Sequence, residues 1–161
     1  MVGEHQQAGA PEVRVRRILF PTDFSPGAET AARWAEVMRH TFSAELVVLH
    51  VLDLSLAGLA GLSTQVAMMP AVDELVERVR AEATEEMARL QARFPQARTV
   101  LREGSTRPTI LQVAEELGAD LIVMGTHGRT GLARVLLGSV AEYVVRHSRI
   151  PVLTIREAES A

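Results

Sequence analysis

The chain predicts an α/β fold in which an open, parallel five-stranded sheet carries helices on both faces. Three observations lead there. Short apolar segments alternate with helical patterns in the order β-α-β-α-β-α-β-α-β. Those segments, Leu121-Ile122-Val123-Met124 being one, are unbroken in their apolarity, as expected of parallel strands covered on both sides. Glycine, proline and serine punctuate the junctions between them. Right-handed crossovers are expected, with 3-2-1-4-5 as the expected strand order.

The first strand is Arg17-Ile18-Leu19-Phe20, which runs into Pro21-Thr22-Asp23-Phe24. Ser25-Pro26 is a helix start, with serine as cap and proline at the first helical position. The helix over 26–41 is rich in alanine (Ala28, Ala31, Ala32, Ala35), so it can lie close to a sheet, and Trp34 is expected in the core. The second strand spans 45–52 around Leu46-Val47-Val48-Leu49. A long helix over 71–94 follows, its apolar face built by Val72, Leu75, Val76, Val79, Ala83, Met87, Leu90 and Phe94. Glu74–Arg78 and Glu85–Arg89 are favourable pairs on its wet side, and Pro95 closes it. A third strand over 97–103 leads through Gly104 into a helix over 108–117, which Gly118 stops. After the fourth strand, 121–124, and a glycine-rich loop, a helix opens at Ser139 and the last strand is Pro151-Val152-Leu153-Thr154-Ile155.

At 161 residues the chain fits one domain, over 16–156, flanked by an amino-terminal arm (1–15) and a short tail (157–161). There is no cysteine, which excludes disulfides and thiolate metal sites. A formal net charge of -3 argues against a nucleic-acid partner, and Arg14, Arg16 and Arg17 read as a solvated flank. Residues 1–13 lack the apolar core of a signal peptide and no apolar run is long enough for a bilayer, so a cytoplasmic protein without membrane contact is expected. The segment 53–70 mixes leucines with glycines and polar residues; a cover over the ligand crevice and a simple insertion both fit it.

The chemistry concentrates in Met124-Gly125-Thr126-His127-Gly128 and, nine residues on, Gly138-Ser139. Gly125 and Gly128 let a backbone approach a ligand closely, and the helix from Ser139 offers unpaired amides and a positive dipole end to an anion. In a sheet of order 3-2-1-4-5, ligands sit beyond the carboxyl ends of strands one and four, where winding reverses. The loops 21–25 and 125–139 therefore face each other, which suggests a nucleotide. Asp23 can accept from ribose hydroxyls, or it can serve as a turn residue before the Ser25-Pro26 helix. Ser139 can donate to phosphate; Ser139-Val140-Ala141-Glu142 is also a capping box. His127 reads as a loop residue rather than a catalyst. His40, His50 and His147 are explained by core packing or by the helix dipole, and no His or carboxylate spacing marks a metal site.

With these residues in place, the chain resembles the universal stress proteins, specifically their ATP-binding branch. Three landmarks over about 16–156 carry the likeness: Ile18-Leu19-Phe20-Pro21-Thr22-Asp23-Phe24-Ser25, Leu49-His50-Val51-Leu52-Asp53, and G-x2-G-x9-G-S from Gly125 to Ser139. The resemblance implies a Rossmann-like domain that binds ATP, with magnesium arriving on the nucleotide. It implies that Asp23 contacts the ribose, that Pro21 and Thr22 line the adenosine side, and that Val51 and Met124 flank the adenine. Gly125, Gly128, Gly138, Ser139 and Val140 match the phosphate-binding run, and Arg129 stands where a basic residue reaches terminal phosphates. It also implies a homodimer through the strand at Pro151 to Ile155. The chain lacks G-x-x-x-x-G-K-[ST], so nucleotide binding with at most slow hydrolysis is expected, in a regulatory protein rather than an enzyme. The competing expectation is a dimerising interaction module whose glycine loop is only architectural.

Overall fold

A computed structural model describes residues 13–55, 72–126 and 137–156. Its elements are β1 (Arg17–Pro21), α1 (Pro26–Phe42), β2 (Glu45–Leu52), α2 (Val72–Arg93), β3 (Arg98–Glu103), α3 (Thr106–Glu116), β4 (Leu121–Gly125), α4 (Ser139–His147) and β5 (Val152–Ile155). The five strands are all parallel and lie in the order β3-β2-β1-β4-β5, as the sequence predicts.

Strand alternation sorts the apolar side chains into two cores. Ile18, Phe20, Leu46, Val48 and Val123 pack on one face with Ala28, Ala31, Ala32 and Ala35 of α1 and Met87 and Leu90 of α2. Leu19, Val47, Leu49, Val51, Ile122 and Met124 pack on the other with Ile110 and Val113 of α3 and Ala141 and Val144 of α4. Side chains such as Ile18, Leu19, Leu46, Leu49 and Ile122 are fully buried, each stabilising the fold by about 1.5–3 kcal/mol. Burial on both sides is why these strands read as continuous apolar runs.

Helix ends follow local chemistry. Ser25 caps α1, its hydroxyl accepting from the Ala28 amide at 3.2 Å, with Pro26 at the first helical position. At the far end of α3, Gly118 adopts φ +60; its amide reaches the Glu115 carbonyl at 3.0 Å and the Ala119 amide reaches Ala114 at 2.9 Å. That is a Schellman closure, the left-handed position being the reason for glycine. α1 ends the same way with Ser43 at φ 52, a serine in a glycine's place.

Several expectations need correction. Trp34 is not in the core but 47% exposed, because the buried stripe of α1 consists of the small residues on its neighbouring face. Arg17 is not a solvated flank. It bonds Glu45 at 2.7 Å and the Leu117 carbonyl, while Asp120 accepts from the Arg16 and Arg17 amides, so the start of β1 is tied to its neighbours. On α2 the Glu85–Arg89 pair forms at 2.7 Å. Arg78 has no such bridge to Glu74 among the described residues, and Arg80 instead joins Glu77 and Glu103. No described helix is long and apolar enough to cross a membrane.

Candidate functional site

The sheet splits at its centre. β1 and β4 are paired only at Ile18–Leu121 and Leu19–Ile122, near their amino ends. Beyond that point each turns to its other neighbour. β1 stays on β2 through Pro21–Leu49 and a bond from the Thr22 amide to the Leu49 carbonyl, 2.8 Å. β4 stays on β5 through Gly125–Ile155 and a bond from the Thr126 amide to the Ile155 carbonyl, 2.9 Å. A crevice opens between the carboxyl ends of β1 and β4, at the reversal of winding where open α/β sheets hold ligands.

The described candidate residues converge on this crevice. Pro21, Thr22 and Asp23 end β1, Met124 and Gly125 end β4, and Val51 lies near the end of β2. Val51 and Met124 belong to the same core layer, the one facing α3 and α4, and strand alternation turns Pro21 to that face as well. Three adjacent strands thus offer one apolar strip. Gly138, Ser139 and Val140 are brought to β4 by the Gly138 amide, which donates to the Thr126 carbonyl at 2.6 Å. Gly128 and Arg129, with His127, Thr130 and Gly131, lie outside the described residues, as do 56–70 of the segment after β2, residues 1–12 of the arm and the tail.

At the β4 lip, Gly138 and not Ser139 is the cap of α4. Its carbonyl takes the Glu142 amide at 2.8 Å, so the amides of Ser139, Val140 and Ala141 precede the first intrahelical bond. The expected capping box does not form: Ser139 is the exposed first helical residue and Glu142 turns to Arg146 at 3.0 Å. Those three amides and the dipole end form a cradle suited to an anion.

At the other end, Asp23 is half-buried and its Oδ1 accepts from the Ser25 amide at 3.1 Å, the turn role weighed from sequence. A carboxylate offers about four lone-pair sites, so a turn bond and a ligand contact are compatible. The Phe24 amide donates to Thr22 Oγ1 at 3.1 Å, and the same loop thereby folds back on itself twice. Among the described residues four polar side chains are buried: Thr22, Ser25, His50 and Thr126. All four stand at this end of the sheet, although burying polar groups is costly unless they are bonded. Among the described residues no buried side-chain polar atom lacks a partner.

Two residues of the Leu49–Asp53 landmark take roles that its pattern does not assign. His50 on β2 reaches the Thr22 carbonyl with Nδ1 at 2.8 Å and lies beside the Phe24 ring. Asp53 accepts from the Ser55 hydroxyl at 2.5 Å, the Ser55 amide at 3.1 Å and the Thr106 amide. These bonds, the Ser55 hydroxyl foremost, hold the Asp53 carboxyl below its ordinary range against a smaller effect of burial. Ser105, the nominal cap of α3, makes no side-chain cap bond, so Asp53 serves that helix from across the sheet. Among the described residues no cluster of His, Cys, Asp or Glu could hold a metal.

Known proteins give this geometry a lineage. Residues 14–156 match the universal stress protein family. The chain belongs to that family. It is 32% identical to universal stress protein MJ0577 of Methanocaldococcus jannaschii, over 92% of this chain and 99% of that protein. A second protein of that organism, universal stress protein MJ0531, is 35% identical over 88% of this chain and 82% of its own. Among solved structures, MJ0577 superposes with a TM-score of 0.78 at 30% identity, covering 92% of this chain and all of that one. UspA of Lactobacillus plantarum superposes at 0.76 and 30% identity, covering 90% of this chain and 100% of that chain. The Rossmann-like fold and the stress-protein family are therefore both in place.

Proposed function

We propose that this universal stress protein is a cytoplasmic, ATP-binding regulatory protein, acting through nucleotide-dependent change in its crevice loops or its oligomer. The observation that carries the reading is the split between β1 and β4, with a polar loop at one lip and the α4 amides at the other. In this reading adenine lies along the strip of Val51, Pro21 and Met124, and Thr22 and Asp23 meet the ribose. The backbone at Gly125, Gly128 and Gly138, with Ser139 and Val140, receives the phosphates. Arg129 reaches the terminal phosphate, where magnesium accompanies the nucleotide. A universal stress protein 20% identical to this chain has been solved in complex with cAMP, with a TM-score of 0.55; that likeness speaks for the fold.

Binding without turnover is the expected behaviour. Rapid phosphoryl transfer relies on a lysine or equivalent cation clamped on the phosphates and a group that orients the nucleophile. The chain has no lysine at all, its 17 basic residues being arginines, and no Walker motif. Slow hydrolysis remains compatible with such a site.

Mass spectrometry of nucleotide released from freshly purified protein, followed by calorimetry with ATP, ADP and AMP, tests the reading. Failure to bind any adenine nucleotide removes it. A dimerising module that ignores nucleotide has one observation in its favour. β5 ends the sheet with Val152, Leu153 and Thr154 only half-buried, as suits pairing with a second copy. Dimer mass independent of nucleotide, with partner binding that survives Asp23→Ala together with Gly138→Val, would favour that reading.

A further inference from the structure

The loop that carries Asp23 is held from β2 by one side chain. β1 and β2 form a regular ladder as far as Pro21–Leu49, and the Thr22 amide then donates to the Leu49 carbonyl. In a continuing parallel ladder the next bond would run from the Val51 amide to the Thr22 carbonyl. Among the described residues that bond is not made, and the Thr22 carbonyl is instead met by His50 Nδ1 at 2.8 Å. A carbonyl oxygen only accepts, so Nδ1 carries the proton and donates.

The same imidazole supports the residue on the other side of Asp23. Phe24 holds φ 62, a left-handed conformation that is costly for a bulky side chain and persists only where its surroundings impose it. Its ring lies 4.3 Å from the His50 ring, tilted by 36°. His50 is itself buried, at 7% exposure, so both contacts are made away from water. Thr22 and Phe24 are thus fixed by one β2 side chain, and Asp23 is the residue between them.

We infer that His50 is the positioning residue of the nucleotide crevice: by holding the Thr22 carbonyl and bracing Phe24 it aims the Asp23 carboxylate. This inference rests on the proposed nucleotide reading. Its test compares ATP binding by calorimetry in the parent, His50→Phe and His50→Asn, with amide hydrogen exchange of the unliganded proteins. His50→Phe keeps a ring against Phe24 and removes the donor; ATP binding weakens about tenfold. His50→Asn restores a donor near the Nδ1 position, and affinity returns to within about threefold of the parent. Exchange at the Phe24 and Ser25 amides quickens in His50→Phe while Leu19 and Val48 at the sheet centre stay protected. A side chain that merely fills the core gives the reverse order, the apolar variant binding like the parent and the asparagine variant worse, and that result overturns the inference. Should His50→Phe not fold, His50→Asn against His50→Ala carries the same comparison, with asparagine the tighter binder. A parent that binds no adenine nucleotide overturns the nucleotide reading and this inference together; a parent that binds, with affinities equal among the variants, overturns this inference alone.

Discussion

Gly138 offers a test of whether a glycine serves the backbone or, as proposed, a ligand. It caps α4 with φ -69 and ψ 160, an extended conformation open to any residue, so its own dihedrals do not call for glycine. Serine is at least as good an N-cap, by a few tenths of a kcal/mol. For a chain of this size Gly138→Ser should therefore shift Tm by less than about 2 °C. The ligand-side cost is different in scale. A side chain at the mouth of the cradle formed by the amides of Ser139, Val140 and Ala141 keeps a phosphate from at least one charge-assisted hydrogen bond, which is about 1.5–3 kcal/mol. Affinity for ATP should fall by about tenfold to a hundredfold. Calorimetry with ATP, paired with thermal melts, reads both numbers. An ATP affinity within about twofold of the parent at unchanged Tm would refute phosphate binding at this helix end. A Tm loss above about 5 °C would instead show that the fold itself requires the glycine.

Asp23→Asn keeps an acceptor for the Ser25 amide, so Tm should hold while AMP and ATP both weaken by about three- to tenfold; an effect confined to ATP would contradict a ribose contact. Asp53 has a folded pKa held below its unfolded value, so its stabilisation is complete above the unfolded value near 4 and is lost as pH falls through the folded one. Asp53→Ala should lower stability by about 0.5–1 kcal/mol at neutral pH, and the difference between parent and variant should shrink as the medium is acidified below the unfolded value. Ser43→Gly should gain about 0.5–1 kcal/mol by relieving a left-handed serine, and Gly118→Ala should lose a similar amount, since its new Cβ meets nothing nearer than Arg17 at 4.0 Å; denaturant titrations check both. Saturating ATP should shift the monomer–dimer equilibrium seen in sedimentation by several-fold, and an unchanged equilibrium would exclude coupling of crevice and edge.

What could be read in advance was what local pattern encodes. Continuous apolar runs mark the strands, since a parallel sheet with helices on both faces leaves little else for them to do. Ser25-Pro26 marked the start of α1 because a cap acts within three residues of itself. Trp34 lies off the buried stripe for a geometric reason. At 100° per residue it falls about 110° from the centre of the stripe made by Ala28, Ala31, Ala32 and Ala35. Ser139 was misread because S-x-x-E fits a cap at Ser139, while the Gly138–Thr126 bond draws the chain into helix one residue earlier. His50 and Asp53 stand in a recognised landmark, yet their bonding roles are not legible there for a different reason. Each acts on a partner far along the chain, Thr22 and Thr106, and periodicity carries no record of such pairs.

The crevice owes its shape to loyalty between strands, and this has a mechanical consequence. Thr126 is the joint: its amide holds the last carbonyl of β5 and its carbonyl holds the amide of Gly138, the cap of α4. The edge strand and the anion cradle are therefore fastened to one peptide segment. On the opposite lip the Asp23 loop hangs from β2 by the Leu49 carbonyl and the His50 ring, with no bond to β4 among the described residues. A ligand spanning the two lips would bridge halves that the sheet joins only at Ile18–Leu121 and Leu19–Ile122. In the proposed nucleotide reading, closing that gap would act on β5 through Thr126, and by linkage anything that pairs with β5 would act back on the cradle. A nucleotide signal in this fold needs no catalytic step, only unequal affinity for two spacings of the same two lips.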